Sequence, residues 1–264
     1  METIDLSTLR PVLAGQPFLL ATDLDGTLLG DERGEAWFKS LVARYPDDIR
    51  LAYISGRFRS SILQLVDEGR LPAPHYICSD VGTELFDWND PQNAIGQRYA
   101  AQVTPDWDLE TILAAGEGPG VQRSNFAHGQ PRFQAGFAWD GDPRTLVAFR
   151  KRMAGFEHCH ILPSHGEFID VLPLALGKGE TVHFLQRELG LTAERVVVAG
   201  DSGNDRLMFD AGFKGILPSN VLDELRVLAR QPWHYYSPFP SARGVLDGLC
   251  HFGFLEPDPE TGVK

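Results

Sequence analysis

A run of five apolar or small residues, Phe18-Leu19-Leu20-Ala21-Thr22, stops abruptly at Asp23-Leu24-Asp25-Gly26-Thr27. No other feature of the chain restricts its fold so tightly. A short unbroken apolar run is what a strand covered on both faces looks like. The two aspartates lie two apart, so in extended backbone they face the same way. Like charges that close repel, unless a cation lies between them or one is protonated. Gly26 lets the chain leave the strand sharply and expose its amides. Taken alone, the segment reads as a turn whose acids cap a helix.

The surrounding pattern argues for more. Apolar spacing predicts a helix over 34–45, with Trp37, Phe38, Leu41 and Val42 on one face. A strand over 51–54, a helix over 58–68 and a strand over 76–78 follow. This alternation implies a parallel sheet with right-handed crossovers. The middle of the chain departs from it, with helices over 107–115 and 144–153. Strands are expected there over 132–139, 159–162 and 168–172, with another near 121–124. Alternation resumes with a helix over 179–189, a strand over 195–199, a helix over 204–211, a strand over 215–217 and a helix over 221–229. Segments 233–236 and 242–252 close the pattern, and 256–264 are expected to fray. The expected class is α/β: a doubly wound, Rossmann-like parallel-sheet core domain over 1–103 and 173–264. A smaller α+β domain is inserted at 104–172.

Composition narrows the partners. Of 264 residues, 24 are basic and 36 acidic, a net charge of −12. That argues against nucleic acid and requires a local positive patch or a metal wherever an anion binds. Three scattered cysteines fit a reducing cytosol rather than a disulfide framework. No apolar run approaches the roughly 20 residues of a membrane span, and Met1 to Arg10 lacks a signal-peptide pattern. The expectation is a cytoplasmic protein with no membrane partner.

Ligands of open α/β sheets collect at the carboxyl ends of strands. Four polar clusters fall at such ends: Asp23 to Thr27, Ser55-Gly56-Arg57, Asp80 to Thr83, and Gly200-Asp201-Ser202-Gly203-Asn204-Asp205. Gly177-Lys178-Gly179 opens a helix of the same half. Asp201 and Asp205 are a second acidic pair, after Val196-Val197-Val198. Acids paired at two strand ends suggest a hard divalent cation held by oxygen, Mg²⁺ rather than zinc. Lys178 supplies the positive charge that a phosphate and a carboxylate nucleophile both require. Ser55 offers a hydroxyl beside free amides.

In this order the motifs resemble those of the haloacid-dehalogenase-superfamily phosphatases. Asp23 to Thr27 resembles the first motif, Ser55-Gly56-Arg57 the second, Lys178 the third and Gly200 to Asp205 the fourth. The insert lies where the larger α+β cap of one subclass sits. Within that subclass the chain is most similar to the sucrose-phosphate phosphatase family. The similarity reaches Asp80-Val81-Gly82-Thr83-Glu84, Ile169-Asp170-Val171-Leu172-Pro173, His234-Tyr235, Gly244, His251-Phe252 and Phe254-Leu255. Two features depart from it. The strand from Arg132 to Asp140 has no lysine, and His165-Gly166-Glu167 is unlike the family pattern.

The resemblance implies a phosphatase that forms an aspartyl-phosphate. Asp23 would be the nucleophile and Asp25 the general acid, then base. Mg²⁺ would be held by Asp23, a backbone oxygen of Asp25, and Asp201, with Asp205 holding a metal-bound water or Lys178. Ser55, Gly56 and Lys178 would bind phosphate, with Asn204 either there or a plain helix cap. Arg57 reads as a structural pair. Gln134, His165, Glu167 and Asp170 are the candidate partners of sugar hydroxyls. Phe133, Phe137 and Trp139 read as core, and His158 with His160 lacks a third metal ligand. The implied substrate is a phosphorylated disaccharide, first sucrose 6-phosphate. Mannosylfructose phosphate, glycosyl-phosphoglycerate and trehalose 6-phosphate are the alternatives. A sugar phosphomutase and a non-catalytic sugar-binding module compete, although the latter predicts lost acids. A sugar-phosphate synthase of the same pathway is the candidate protein partner.

Overall fold

The computed structural model describes residues 5–13, 15–126, 129–227 and 231–259. In chain order the strands are β1 (Leu9–Pro11), β2 (Phe18–Thr22), β3 (Ile49–Ile54), β4 (Tyr76–Ser79), β5 (Glu84–Asp87), β6 (Val121–Arg123), β7 (Ala135–Trp139), β8 (Cys159–Ser164), β9 (Phe168–Pro173), β10 (Val196–Ala199), β11 (Lys214–Leu217), β12 (His234–Tyr236) and β13 (Leu255–Pro257). The helices are α1 (Glu32–Arg44), α2 (Arg59–Asp67), α3 (Ala94–Ala100), α4 (Leu109–Gly116), α5 (Pro143–Arg152), α6 (Lys178–Glu188), α7 (Arg206–Asp210), α8 (Asp223–Arg226) and α9 (Ser241–His251).

The main sheet runs β12-β11-β10-β2-β3-β4-β5 and is parallel except for β5, which pairs antiparallel with β4. Its strands bury side chains on both faces. Leu20, Leu51, Tyr53 and Val197 pack beneath α1 and α9, with Phe38, Leu41, Val245 and Leu249. Leu19, Ala21, Ala52 and Val198 pack on the other face with Val182, Leu185 and Met208 of α6 and α7. That double cover explains why β2 and β10 read as continuous apolar runs. Thr22 is registered with Ala199 on one side and Tyr53 on the other, so β2, β10 and β3 end at one level. The chain winds outward in opposite directions from β2, which opens a crevice at those ends.

A second sheet, β6-β7-β9-β8, is wholly antiparallel. One face buries Ala135, Phe137, Ile169 and Val171 against Ile112, Leu113 and Phe149 of α4 and α5. Phe137 and Trp139 belong to this interior, while Phe133 is buried in the main domain instead. The opposite face carries Gln134, Asp170 and Leu172.

Some expectations are corrected. Residues 256 and 257 do not fray: β13 pairs with β1, and Arg10 Nη2 donates to Glu256 Oε1 at 2.7 Å. The expected fraying of 260–264 lies outside the described residues. Of the helix expected over 221–229, residues 221 and 222 stay in the loop after Pro218 and α8 covers Asp223–Arg226; 228–230 lie outside the described residues. β5 and α3 went unanticipated. Among the described residues no helix is long and apolar enough to cross a membrane.

Candidate active site

Asp23 is the first residue past β2, and its backbone N–H donates to Ala199 O at 3.0 Å. The chain then folds tightly around buried Leu24, whose carbonyl accepts from Leu28 N at 2.9 Å and Leu29 N at 2.8 Å. Gly26 takes φ +75°, and a Cβ there would lie 2.3 Å from Asp201 Oδ2. Only glycine admits the Asp201 carboxylate so close to the first motif. Thr27 Oγ1 donates to Asp201 Oδ1 at 3.2 Å, which joins the two acidic motifs directly.

Lys178 is fully buried at the start of α6. Its ammonium donates to Asp23 Oδ1 at 2.8 Å, Asn204 Oδ1 at 2.8 Å and Asp205 Oδ1 at 2.5 Å. All three donor sites of the ammonium are thus used. A strained segment sets its position. Asp80, Val81 and Gly82 take φ values of +54°, +57° and +88° in succession, a costly conformation for a β-branched valine. Asp80 N and Val81 N are held by Arg57 O at 3.1 Å and Ser55 O at 3.0 Å, and Gly82 O accepts from Gly177 N at 3.1 Å. A Cβ at Gly82 would sit 2.3 Å from Lys178 N.

The fourth motif folds on itself. Ser202 caps the turn 203–205 in a reciprocal box with Asp205. Asp205 Oδ2 accepts from Asp201 N at 2.9 Å and Ser202 N at 3.0 Å. Both its oxygens are therefore engaged, one by the loop and one by Lys178. Asn204 is not the cap residue; it faces Lys178. Asp25 points outward, and Arg57 grips it with Nε to Oδ2 and Nη2 to Oδ1, both at 2.7 Å. Ser55 is buried at the end of β3, its hydroxyl accepting from Arg57 N at 3.2 Å.

Among the described residues, only the carboxylates of Asp23, Asp201 and Asp205 bring three potential metal ligands within 4.8 Å of one another. Three anions share one ammonium there. Burial pushes Asp23 up to about 7, although Lys178 pulls against it and Asp205 adds repulsion. Burial, then Asp205 and Asp23, push Asp201 up to about 8. Burial alone would discharge Lys178, yet Asp205 and Asp23 outweigh it and hold the ammonium above its usual range. The ion pair thus keeps the lysine charged without satisfying the acids. With all three acids ionised the group would carry a net charge of about −2, which a divalent cation on hard oxygen ligands would neutralise in place of the protons that the raised Asp23 and Asp201 otherwise hold.

On the second sheet, Gln134 Nε2 donates to Asp170 Oδ1 at 2.7 Å, and both residues are buried. His165 and Glu167 lie instead in the exposed β8–β9 turn. Burial raises Asp170 to about 6, with the hydrogen bond from Gln134 and then the charge of Lys178 opposing the rise. His160 Nε2 pairs with Glu180 Oε1 at 3.2 Å, and His158 Nδ1 lies 3.6 Å from Asp106 Oδ2. The sequence reading gave no role to Asn220, which donates from Nδ2 to Gly26 O at 2.7 Å and accepts Ser241 N at Oδ1, 2.9 Å away. It follows the carboxyl end of β11, so the strand-end rule that found the other clusters would have found it too.

Residues 16–253 match the family model described as sucrose-6F-phosphate phosphohydrolase. The chain belongs to this family. It is a sugar-phosphate phosphatase of the haloacid-dehalogenase superfamily, with the α+β insert as its cap. It is 32% identical to the mannosylfructose-phosphate phosphatase of Agrobacterium fabrum, over 89% of this chain and 96% of that protein. It is also 32% identical to the glucosylglycerol-phosphate synthase of Pseudomonas anguilliseptica, over 90% of this chain but only 31% of that protein. The sucrose-phosphatase of Synechocystis sp. PCC6803, solved with sucrose and phosphate, shares the fold. The TM-score is 0.84 at 24% identity, covering 90% of this chain and 99% of that one.

The buried acid of this phosphohydrolase's cap has a measurable cost. Asp170 ionises near 4 when unfolded and near 6 when folded. No cost exists below pH 4; it grows between pH 4 and 6 and is complete above, at about 3 kcal/mol. Asp170→Asn keeps the acceptor for Gln134 and removes the charge. The variant should melt with the wild type at pH 4 and above it at pH 8, in thermal unfolding followed by circular dichroism. Lower stability of the variant at pH 8 would contradict the burial argument.

Proposed function

We propose that this phosphatase hydrolyses the phosphate ester of a phosphorylated disaccharide, sucrose 6-phosphate or mannosylfructose phosphate, through an aspartyl-phosphate on Asp23. The observation that carries the chemistry is the convergence of Asp23, Asp201, Asp205 and Lys178 at three adjoining elements. Asp23 Oδ1 is held by Lys178, and its other oxygen is the atom that attacks phosphorus. Asp25 would deliver a proton to the departing sugar oxygen and later take one from water, a step that requires it to be protonated and so to leave the bidentate grip of Arg57, which engages both its oxygens. Ser55 and the amides beside Gly56 would receive the phosphate oxygens; Lys178, whose three donors are held by Asp23, Asn204 and Asp205, would reach a phosphate oxygen only by giving up one of them. Asp23, Asp201 and the backbone oxygen of Asp25 would hold Mg²⁺, with Asp205 steadying Lys178 and the loop. The cation, when bound, supplies charge neutralisation that lets an anionic carboxylate approach a phosphate.

The substrate rests on the cap, taken as residues 104–172 over a core of 1–103 and 173–264. The family description names sucrose-6F-phosphate, and a 32% identical relative of matching length is named for mannosylfructose phosphate. Both names denote phosphorylated disaccharides. The absence of lysine from Arg132 to Asp140 departs from the sucrose-phosphate phosphatase pattern, and the relative of matching length makes mannosylfructose phosphate the second reading. Gln134 and Asp170 form a buried polar pair on the sheet face opposite the cap's own core, the kind of group a sugar hydroxyl would satisfy. A buried site built to pair hydroxyls strongly rejects ligands that leave it unpaired. A disaccharide phosphate is therefore expected to show kcat/KM at least about 100-fold above glucose 6-phosphate or fructose 6-phosphate, about 2.7 kcal/mol. Replacing Gln134, His165 or Glu167 by alanine should shrink that ratio and spare p-nitrophenyl phosphate. A phosphate-release screen over sucrose 6-phosphate, mannosylfructose phosphate, trehalose 6-phosphate, glycosyl-phosphoglycerates and the two hexose phosphates tests this. Equal efficiency on mono- and disaccharide phosphates would overturn the substrate reading.

A further inference from the structure

Glu224 lies outside every motif, on the one-turn helix α8, yet its Oε1 accepts two backbone amides from distant parts of the chain. Gly203 N donates at 2.6 Å and His165 N at 3.1 Å. Gly203 belongs to the loop that carries Asp201 and Asp205. His165 opens the turn between β8 and β9 of the cap. That turn is strained: His165 takes φ +55° and Gly166 φ +67°, so a non-glycine residue is held left-handed where its amide meets Glu224. The fit at Gly203 is equally close, since a Cβ there would lie 2.6 Å from Pro163 O of β8 and 2.7 Å from Glu224 Oε1. The start of α8 is fixed to the same loop, because Leu222 N donates to Asp201 O at 2.8 Å. Leu162 and Leu172 of the cap pack nearby on Val81 and Leu207. Toward the other end of β8, His160 meets Glu180 at 3.2 Å, so the strand is tied to the core at two points.

We propose that Glu224 is a positioning residue that joins the cap's β8–β9 turn to the loop carrying Asp201 and Asp205, and so sets the height of the cap over the phosphate site. The proposal rests on the reading of the insert as the substrate-selecting cap. A carboxylate oxygen shared by two amides makes charge-assisted bonds, stronger than those of a neutral acceptor. The amide oxygen of glutamine can still accept both amides; alanine can accept neither. Grip on the sugar and order of the acidic loop are then linked, each favouring the other. The His160–Glu180 tie remains when Glu224 is lost, so the turn loosens without the cap coming free.

The test uses the full chain with Glu224→Ala and Glu224→Gln. Glu224 is exposed, so neither change removes core packing. Amide hydrogen exchange of the substrate-free protein is the first readout. In the alanine variant exchange at both His165 and Gly203 should accelerate at least tenfold, and glutamine should recover most of the protection. Kinetics on the best substrate of the phosphate-release screen are the second. Alanine should raise KM at least fivefold while kcat changes less, and glutamine should restore KM. Faster exchange at Gly203 alone would overturn the link, as would a fall in kcat at unchanged KM or a glutamine variant that behaves like alanine. If no disaccharide phosphate is hydrolysed, the substrate reading fails on its own, and the exchange measurement still decides the role of Glu224.

Discussion

Asp23→Asn is expected to lower phosphate release by at least about a thousandfold, on the natural sugar phosphate and on p-nitrophenyl phosphate alike. A carboxamide is neutral and cannot form the acyl phosphate, so the two easier steps revert to one hard one. The loss should not come from unfolding. Burial already pushes the Asp23 carboxyl up to about 7, so a neutral isostere relieves a cost in the metal-free protein. Asp25→Asn should behave differently. Asp25 stands exposed at the rim of the site, apart from the buried acids and paired to Arg57, which it must leave to act on the leaving group. Its loss should be severe for a sugar, which departs as a poor leaving group, and milder for p-nitrophenolate, which needs no proton. Steady-state phosphate release from the four combinations of variant and substrate checks both statements. Near-normal turnover by Asp23→Asn would remove the covalent mechanism.

Chelation should have an effect of the same order. Once all three buried carboxylates are ionised, as an attacking Asp23 requires, one ammonium would leave them about −2 at the place where a phosphate must enter. EDTA should abolish activity and Mg²⁺ should restore it. Ca²⁺ should restore little, because it prefers more ligands at longer distances and would engage both oxygens of Asp23, leaving none to attack. The pH dependence follows from the shifts. Asp201 is raised to about 8 and Asp23 to about 7, so without metal their protons compete with the cation in the neutral range. The cation binds the deprotonated form, so Mg²⁺ affinity should weaken as pH falls from 8 to 6. Activity titrated with Mg²⁺ at pH 8, 7 and 6 measures it. Full activity in EDTA, or an affinity independent of pH, would contradict the assignment.

The parts of the site that could be read from sequence are those where local pattern and position coincide. β2 and β10 are covered on both faces, so each is an unbroken apolar run whose polar end is conspicuous. Lys178 became legible only through the order of the motifs, since a single lysine in a helix carries no information about burial. Other features depend on long-range packing. The left-handed run Asp80-Val81-Gly82 contains a valine, which gives no warning of positive φ. Contacts to Ser55 and Arg57 impose that conformation. Glu224 and Asn220 look like ordinary loop polar residues until the loops they brace are brought together. β1 and β13 are three-residue strands at opposite ends of the chain, too short for a periodic signal. Within the cap, Gln134 and Glu167 were indistinguishable as polar residues near strand ends, yet one is buried against Asp170 and the other exposed in a turn.

The covalent step at Asp23 is tested most directly by trapping. The protein with Mg²⁺ is mixed with its best sugar phosphate and quenched during the first turnover, and the acyl phosphate is reduced with borohydride. Peptide mass spectrometry then locates the product. Homoserine at position 23, absent without substrate and absent from Asp23→Asn, is the predicted result. Phosphate release at a normal rate with no modified residue 23, or with the modification at Asp25 or Asp201, would contradict it.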